Sequence, residues 1–348
     1  MKRRYSKEIH IGNIKVGGDA PITVQSMLNT KTVDIDGSLA QIKELTDVGC
    51  DLIRLAVPDE QSAEAFKVIA EKSGLPLIAD VHYSYRLAEL AVKAGAKKLR
   101  MNPGNMSTDA ENIKNLVEIL KDYDVPVRIG VNGGSLDKQF KGMAEDEALV
   151  ASALKTADMF EKFGFSNLIV AIKASNVQTM IESNRKLAKT CEYPLHLGVT
   201  EAGTLRSGLI KSSIGIGTLL EEGIGDTIRV SLSAPVVEEV YAGKAILKAL
   251  GLRSTGVEVV SCPTCARTEI DVQGLAEEVE RLTAKIEKPL KISVMGCPLN
   301  GIGEGEGSDL GIAGGKEKSV LLKDGKIFKT VPSANLMEEF MTLLNEVL

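Results

Sequence analysis

Three cysteines are grouped in a chain that has only five. Cys262 and Cys265 share the stretch SCPTCARTEI, and Cys297 sits in VMGCPLNGIGE. Thiolates grouped in this way hold zinc or an iron-sulfur cluster. A structural zinc site takes its fourth ligand from another Cys or a His, yet no His follows His196. Cys50 and Cys191 fall in apolar-periodic stretches and read as small buried residues. The stretch after Cys297, PLNGIGEGEG, offers Glu304 and Glu306 in a loop whose glycines let the backbone fold tightly back. A carboxylate on one iron would leave it labile and open to a substrate oxygen, which four thiolates would not.

A second chemistry lies upstream, where polar residues recur two apart and so share one face of a strand. The pairs are Arg100 with Asn102, Arg128 with Asn132 through Gly130, Lys173 with Ser175, and Arg229 with Ser231 and Ser233. Arg54 adds a fifth cation to Arg100, Arg128, Lys173 and Arg229. Cations gathered in one low-dielectric cavity repel, so they call for a ligand with several negative charges, above all phosphate or diphosphate oxygens held by guanidinium forks. The alternative is that each pairs with a carboxylate such as Asp80 or Glu201. Asp80 and His82 end one apolar run, while His196, Thr200 and Glu201 lie along another. Glu201 can serve as a proton donor once a ligand excludes water, whereas His196 reads as a satisfied structural histidine. The segment SSIGIGTLLEEG could bring backbone N–H groups and a helix N-terminus to a phosphate.

These side chains need a frame, and apolar runs of strand length alternate with amphipathic stretches of helix length to supply it. The runs begin at Pro21, Asp51, Leu75, Lys97, Val125, Asn167, Pro194 and Asp226. Between them lie patterns such as SLAQIKELTDVG and YRLAELAVKAG, closing on the Gly expected past a helix end. Eight βα units in about 250 residues point to an α/β fold built on a closed (β/α)8 TIM-type barrel over residues 1–250, with a doubly wound open sheet as the alternative. The five cations then meet at the C-terminal mouth, where barrel enzymes keep their sites. After LRSTG, residues 257–348 read as a smaller α/β domain. Its elements are a strand VEVVSCP, a helix near 270–286, a strand LKISVMGC, a Gly-rich loop, a hairpin at LKDGKI and a last helix from about Ala334. Both cysteine segments sit at strand ends, so parallel pairing would bring them together.

Composition bounds the rest. The chain has 348 residues, 44% hydrophobic and 26% charged, with 42 Lys+Arg against 47 Asp+Glu. Its net charge of -5 invites neither nucleic acid nor an anionic membrane. The N-terminal stretch lacks a signal-peptide core, and no run approaches a membrane span. A cytoplasmic protein is expected, where thiols stay reduced and grouped cysteines mean metal or redox chemistry.

The segments SCPTCARTEIDV and MGCPLNGIGE, with LRMNPGN, RIGVNGGSL and HLGVTEAG upstream, closely resemble the bacterial two-domain 4-hydroxy-3-methylbut-2-enyl diphosphate synthases of non-mevalonate isoprenoid synthesis. The likeness runs from about Pro21 to about Gly315. It implies a barrel followed by a 4Fe-4S domain, the cluster held by Cys262, Cys265, Cys297 and Glu304. It also implies a cyclic diphosphate substrate, 2-C-methyl-D-erythritol 2,4-cyclodiphosphate, opened and dehydrated by two electrons from flavodoxin or ferredoxin. Residues carried over for the diphosphate and the ring are Arg54, Arg100, Asn102, Arg128, Asn132, Lys173, Glu201, Arg229 and Ser231. One departure is Ile302, where the family commonly has the Pro of Asn-Gly-Pro-Gly-Glu.

Barrel topology adds an expectation about assembly. The last barrel helix returns the chain to the face opposite the mouth, and a five- or six-residue linker spans at most about 20 Å. The small domain would therefore serve another subunit's mouth, in a head-to-tail homodimer. Two rival readings are a barrel lyase with a Schiff base on Lys173 and a structural zinc, and a non-enzymatic iron-sulfur sensor. The Cys-x-x-x-Cys-x-x-Cys spacing of radical S-adenosylmethionine enzymes is missing.

Overall fold

Residues 2–82, 84–102, 109–133, 136, 138–140 and 142–348 are described by a computed structural model. Contacts divide the chain into two units, Met1–Arg253 and Ser254–Leu348.

The first unit opens with a hairpin not expected from sequence, β1 (Ile9–Ile11) and β2 (Ile14–Val16), antiparallel across a turn that Gly12 enters with φ +60°. The eight expected runs follow as parallel strands: β3 (Thr23–Met27), β4 (Leu52–Val57), β5 (Leu77–Val81), β6 (Lys98–Met101), β7 (Val127–Asn132), β8 (Leu168–Lys173), β9 (His196–Leu197) and β10 (Thr227–Ile228). The tail of the Lys97 run, Pro103, lies outside the described residues, as do Gly104, Asn105, Gly134 and Ser135 of the quoted motifs. Each strand is followed by a helix: α1 (Ile35–Asp47), α2 (Glu60–Lys72), α3 (Tyr85–Lys93), α4 (Ala110–Asp122), α5 (Glu145–Glu161), α6 (Val177–Thr190), α7 (Leu205–Glu221) and α8 (Val236–Ala249). Asp34, Asp59, Ser84 and Asn176 cap α1, α2, α3 and α6 by accepting from the N–H three residues on, which fixes where these helices start.

The sheet runs β8-β7-β6-β5-β4-β3-β10-β9, and a parallel bridge from Val170 to Leu195 joins its two ends, closing the barrel. Outward residues such as Ile53 and Leu55 of β4 join a continuous core with Phe66 and Ile69 of α2. At the N-terminal ends of the strands, Ile9, Ile11 and Val16 of the hairpin pack on Leu52, Ile78 and Ile169, giving the barrel an apolar floor. The preceding segment is tied down by Arg3 and Ser6, which both bond Asp226 Oδ1, at 3.0 and 2.8 Å.

The second unit is a five-stranded sheet in the order β11 (Val257–Ser261), β12 (Leu290–Met295), β13 (Leu310–Ala313), β14 (Lys318–Lys323) and β15 (Lys326–Pro332). It carries α9 (Val272–Thr283), α10 (Pro298–Glu304) and α11 (Leu336–Val347). Two expectations are corrected here. The stretch after Cys297 is a helix, not a loop folding back, and β13 was not anticipated. Gly301 in α10 and Gly305 at its C-cap serve close packing: a Cβ on Gly301 would stand 2.8 Å from Met295, and one on Gly305 would meet the Leu322 side chain of β14. Ile302 is a half-buried residue of that helix, whose interior is poorly suited to proline. Among the described residues no helix is long and apolar enough to cross a membrane.

Candidate active site

Strand alternation sends one set of side chains into the barrel. Arg54 (β4), Arg100 (β6), Arg128 and Asn132 (β7), Lys173 (β8), Thr200, Arg229 and Ser231 line one cavity of about 90 Å³. That is room for about three waters, or one phosphoryl group. A wider cavity of about 420 Å³ shares Arg100, Asn132 and Thr200 and adds His82, Asn102, Glu145, Ser175 and Glu201. All nine barrel residues carried over from the family resemblance therefore line one or both cavities. Arg229, Ser231 and Glu201 lie beyond the two-residue strands β10 and β9, on segments without regular pairing. Glu201 has φ +53°, a left-handed conformation that costs a side-chain-bearing residue on the order of 1–3 kcal/mol and clusters at functional sites.

The cations fall into two groups. Asp80 on β5 approaches Arg100 Nη1 at 3.1 Å, His82 Nε2 at 3.4 Å and Arg54 Nε at 3.7 Å. Burial pushes the Asp80 carboxyl up, but Arg54, His82 and Arg100 together hold it well below the usual carboxylate range. Burial brings Arg54 down to about 10, with Asp80 opposing the shift. Glu239, on α8, takes both Nε and Nη2 of Arg229, at 3.1 and 3.0 Å. Arg128 and Lys173 form the second group: no carboxylate among the described residues comes within ion-pairing distance of either, and Arg128 Nε and Nη1 are buried without a partner. Burial, reinforced by the neighbouring cations, lowers both well below their ordinary values. Carboxylate pairing thus accounts for three of the five cations, through Asp80 and the unforeseen Glu239, and Glu201 takes no part in it.

Close approach depends on two glycines. A Cβ on Gly130 would stand 3.1 Å from Arg100 Nε, and one on Gly198 would stand 2.6 Å from the Arg229 carbonyl and 2.7 Å from Lys173 Nζ. Deeper in the barrel Lys98 is fully buried with its ammonium on Gln25 Oε1 at 3.2 Å. His196 is satisfied on one side only: Nδ1 meets Thr227 Oγ1 at 3.3 Å, while Nε2 has no partner. The segment SSIGIGTLLEEG forms the second half of α7 and presents no helix N-terminus, which removes it as a phosphate loop.

In the second unit β11 and β12 are parallel neighbours, with Ser261 paired to Val294. Cys262 and Cys297 therefore leave the same edge of the sheet. Cys262 Sγ accepts from the Gly296 N–H at 3.2 Å. Cys265 is exposed, and hydrogen bonds from Arg267 and Thr268 hold its thiol below the ordinary value. Cys297 occupies the N-cap position of α10 without a side-chain cap bond, and the exposed Glu304 ends the helix, whose seven residues span about 10 Å. Among the described residues no three His, Cys, Asp or Glu groups converge on one ion. N–H groups aimed at the Cys262 and Cys265 sulfurs are the kind of hydrogen bond that thiolates of an iron-sulfur cluster receive. Cys50, by contrast, is buried and pushed up to about 12 by that burial, in keeping with an inert packing role.

Both units match one family. The GcpE TIM-barrel domain matches residues 6–244, and the GcpE protein C-terminal domain matches residues 258–346. The chain belongs to the GcpE family. A relative from Caldanaerobacter subterraneus subsp. tengcongensis is 53% identical over 97% of this chain and 96% of its own. Another from Clostridium perfringens is 47% identical over 100% of both. Both carry the name 4-hydroxy-3-methylbut-2-en-1-yl diphosphate synthase (flavodoxin). The barrel alone also resembles dihydropteroate synthase from Stenotrophomonas maltophilia, with a TM-score of 0.54 at 16% identity over 71% of this chain and 98% of that one. That likeness concerns the fold, and GcpE membership carries the rest.

Proposed function

We propose that this GcpE protein reductively opens and dehydrates 2-C-methyl-D-erythritol 2,4-cyclodiphosphate to 4-hydroxy-3-methylbut-2-enyl diphosphate, the penultimate step of non-mevalonate isoprenoid precursor synthesis. The observation that supports this most is the convergence of Arg54, Arg100, Arg128, Lys173 and Arg229 on one cavity, paired among the described residues with only Asp80 and Glu239. A diphosphate supplies the missing negative charge. The names of the relatives agree on product and on electron donor.

Arg128 and Lys173, without a carboxylate partner among the described residues, would take phosphoryl oxygens first, with Arg54, Arg100 and Arg229 closing around them. Asn102, Asn132 and Ser231 would orient the ring. Glu201, at the wider cavity, would deliver the proton that lets a hydroxyl leave as water. A 4Fe-4S cluster held by Cys262, Cys265, Cys297 and Glu304 would supply electrons one at a time, received from flavodoxin or ferredoxin in the cytoplasm. The short linker favours a head-to-tail homodimer in which each mouth is served by its partner's cluster domain; mixing Cys297→Ser with Glu201→Gln subunits should then restore one working site per heterodimer.

The test is metal and acid-labile sulfide content of protein purified without oxygen, followed by turnover with the cyclodiphosphate and reduced flavodoxin. About four irons and four sulfides per chain, with product formed, is the expected result. One zinc and no sulfide, or no turnover by protein holding a full cluster, would overturn the proposal. Lowered Lys173 also suits a Schiff base; borohydride trapping of substrate on Lys173 would favour that lyase reading instead.

A further inference from the structure

Glu239 has no counterpart among the residues read from sequence, yet it is the best-connected carboxylate at the site. It lies in the first turn of α8, 3% exposed. Its Oε1 accepts from Arg229 Nη2 at 3.0 Å and from the Leu232 N–H at 3.2 Å. Its Oε2 accepts from Arg229 Nε at 3.1 Å and from Ser26 Oγ at 2.9 Å. One carboxylate thus joins β3, α8 and the segment beyond β10. The bidentate pair occupies the Nε side of the guanidinium and leaves Nη1, 3.9 Å from Met27 Sδ, as its outer corner. The bond to Leu232 fixes the backbone next to Ser231, which lines the same cavity as Arg229.

We infer that Glu239 is a positioning residue that aims Arg229 at the ligand's phosphoryl oxygens and holds Ser231 in place toward the ring. The inference rests on the diphosphate reading of the cavity given above. Charge and orientation predict opposite signs here. Removing a buried negative charge makes the cavity more positive, so simple attraction would tighten anion binding. Losing the clamp lets the Arg229 fork rotate and replaces two charge-assisted acceptors with a side chain that offers one acceptor and a competing donor. Positioning therefore requires Glu239→Gln to weaken binding despite the added positive charge.

The experiment is calorimetric titration of inorganic diphosphate into the full chain with its metal complement, for the native protein, Glu239→Gln, Arg229→Ala and the double variant. Glu239→Gln should bind about tenfold or more weakly, and should add less than about twofold in the Arg229→Ala background, because the two residues act as one unit. Unchanged or tighter binding by Glu239→Gln would overturn the inference, as would an equal loss in both backgrounds, which marks a general effect on the fold. No saturable binding by the native protein would overturn the diphosphate reading itself, an outcome distinct from native binding with an unaffected variant. If Glu239→Gln does not fold, Glu239→Asp carries the test: it keeps the charge but withdraws the carboxylate by about 1.5 Å, and equal affinity would refute positioning. In turnover, Glu239→Gln should raise KM for the cyclodiphosphate about tenfold while kcat stays within about threefold.

Discussion

Replacing Arg128 with methionine should make the ligand-free protein more stable while abolishing its anion site. Arg128 is 2% exposed and, among the described residues, has no carboxylate partner and keeps Nε and Nη1 buried without acceptors. Burial with like charges nearby disfavours its charged form. Exchanging buried charged groups for well-packed apolar ones is worth about 1–4 kcal/mol, and methionine is flexible enough to fill the same space. At about 2–4 °C per kcal/mol for a unit of this size, Arg128→Met should melt about 2–16 °C higher. Inorganic diphosphate at a hundred times its Kd should stabilise the native protein by about 2.7 kcal/mol and the variant not at all. Thermal unfolding of both proteins, with and without diphosphate, therefore narrows or reverses the ranking when ligand is added. A variant less stable than the native protein without ligand, or one stabilised equally by diphosphate, would refute this view of Arg128 as a cation held ready at a cost to the fold.

Lys98 gives a pH signature. Its folded pKa lies well below the ordinary value because of burial and the Arg128 and Arg54 charges, so between that value and about 10.4 the folded state binds fewer protons than the unfolded one. Stability should rise with pH across this window, and Lys98→Met should flatten the slope in urea titrations at several pH values. Gly198→Ala should cost about 1–3 kcal/mol and weaken diphosphate binding, because its methyl would press on the Arg229 carbonyl and Lys173 Nζ; melting and titration check both. Ile11→Ala should cost about 2–5 kcal/mol through a cavity in the barrel floor, while diphosphate affinity at 25 °C stays native.

The barrel was legible because its outward strand faces and helix stripes must bury a large apolar core, which stamps a period on the sequence. What the period could not reach was short. Strands β1 and β2 have three residues each, too few for alternation to register. Strand β13, LGIA, is an apolar scrap between glycine-rich stretches, and α10 is so rich in glycine that local propensity speaks against a helix; contacts with Met295, Ala313 and Leu322 impose it. The inward polar positions were readable from spacing of two, down to Arg128 and Lys173, and Arg54 from its place late in its strand. Glu239 was not, because an acid in the first turn of a helix ordinarily faces water and complements the helix dipole. Only the fold reveals that α8 turns it onto Arg229. His196 was misjudged for a related reason: spacing placed it inside the barrel, but nothing local says how many of its nitrogens find partners.

The barrel floor also imposes an order on synthesis. Arg3 and Ser6 bond Asp226, across separations of 223 and 220 residues, and Arg4 bonds the Ala188 carbonyl. The segment that seals the barrel is made before its anchors, which leave the ribosome roughly 10–45 s later at about 5–20 residues per second. Until then Ile9, Ile11 and Val16 have no complete floor to cover. A nascent chain thus carries an apolar hairpin left exposed until those anchors are made, a natural handle for a holding chaperone.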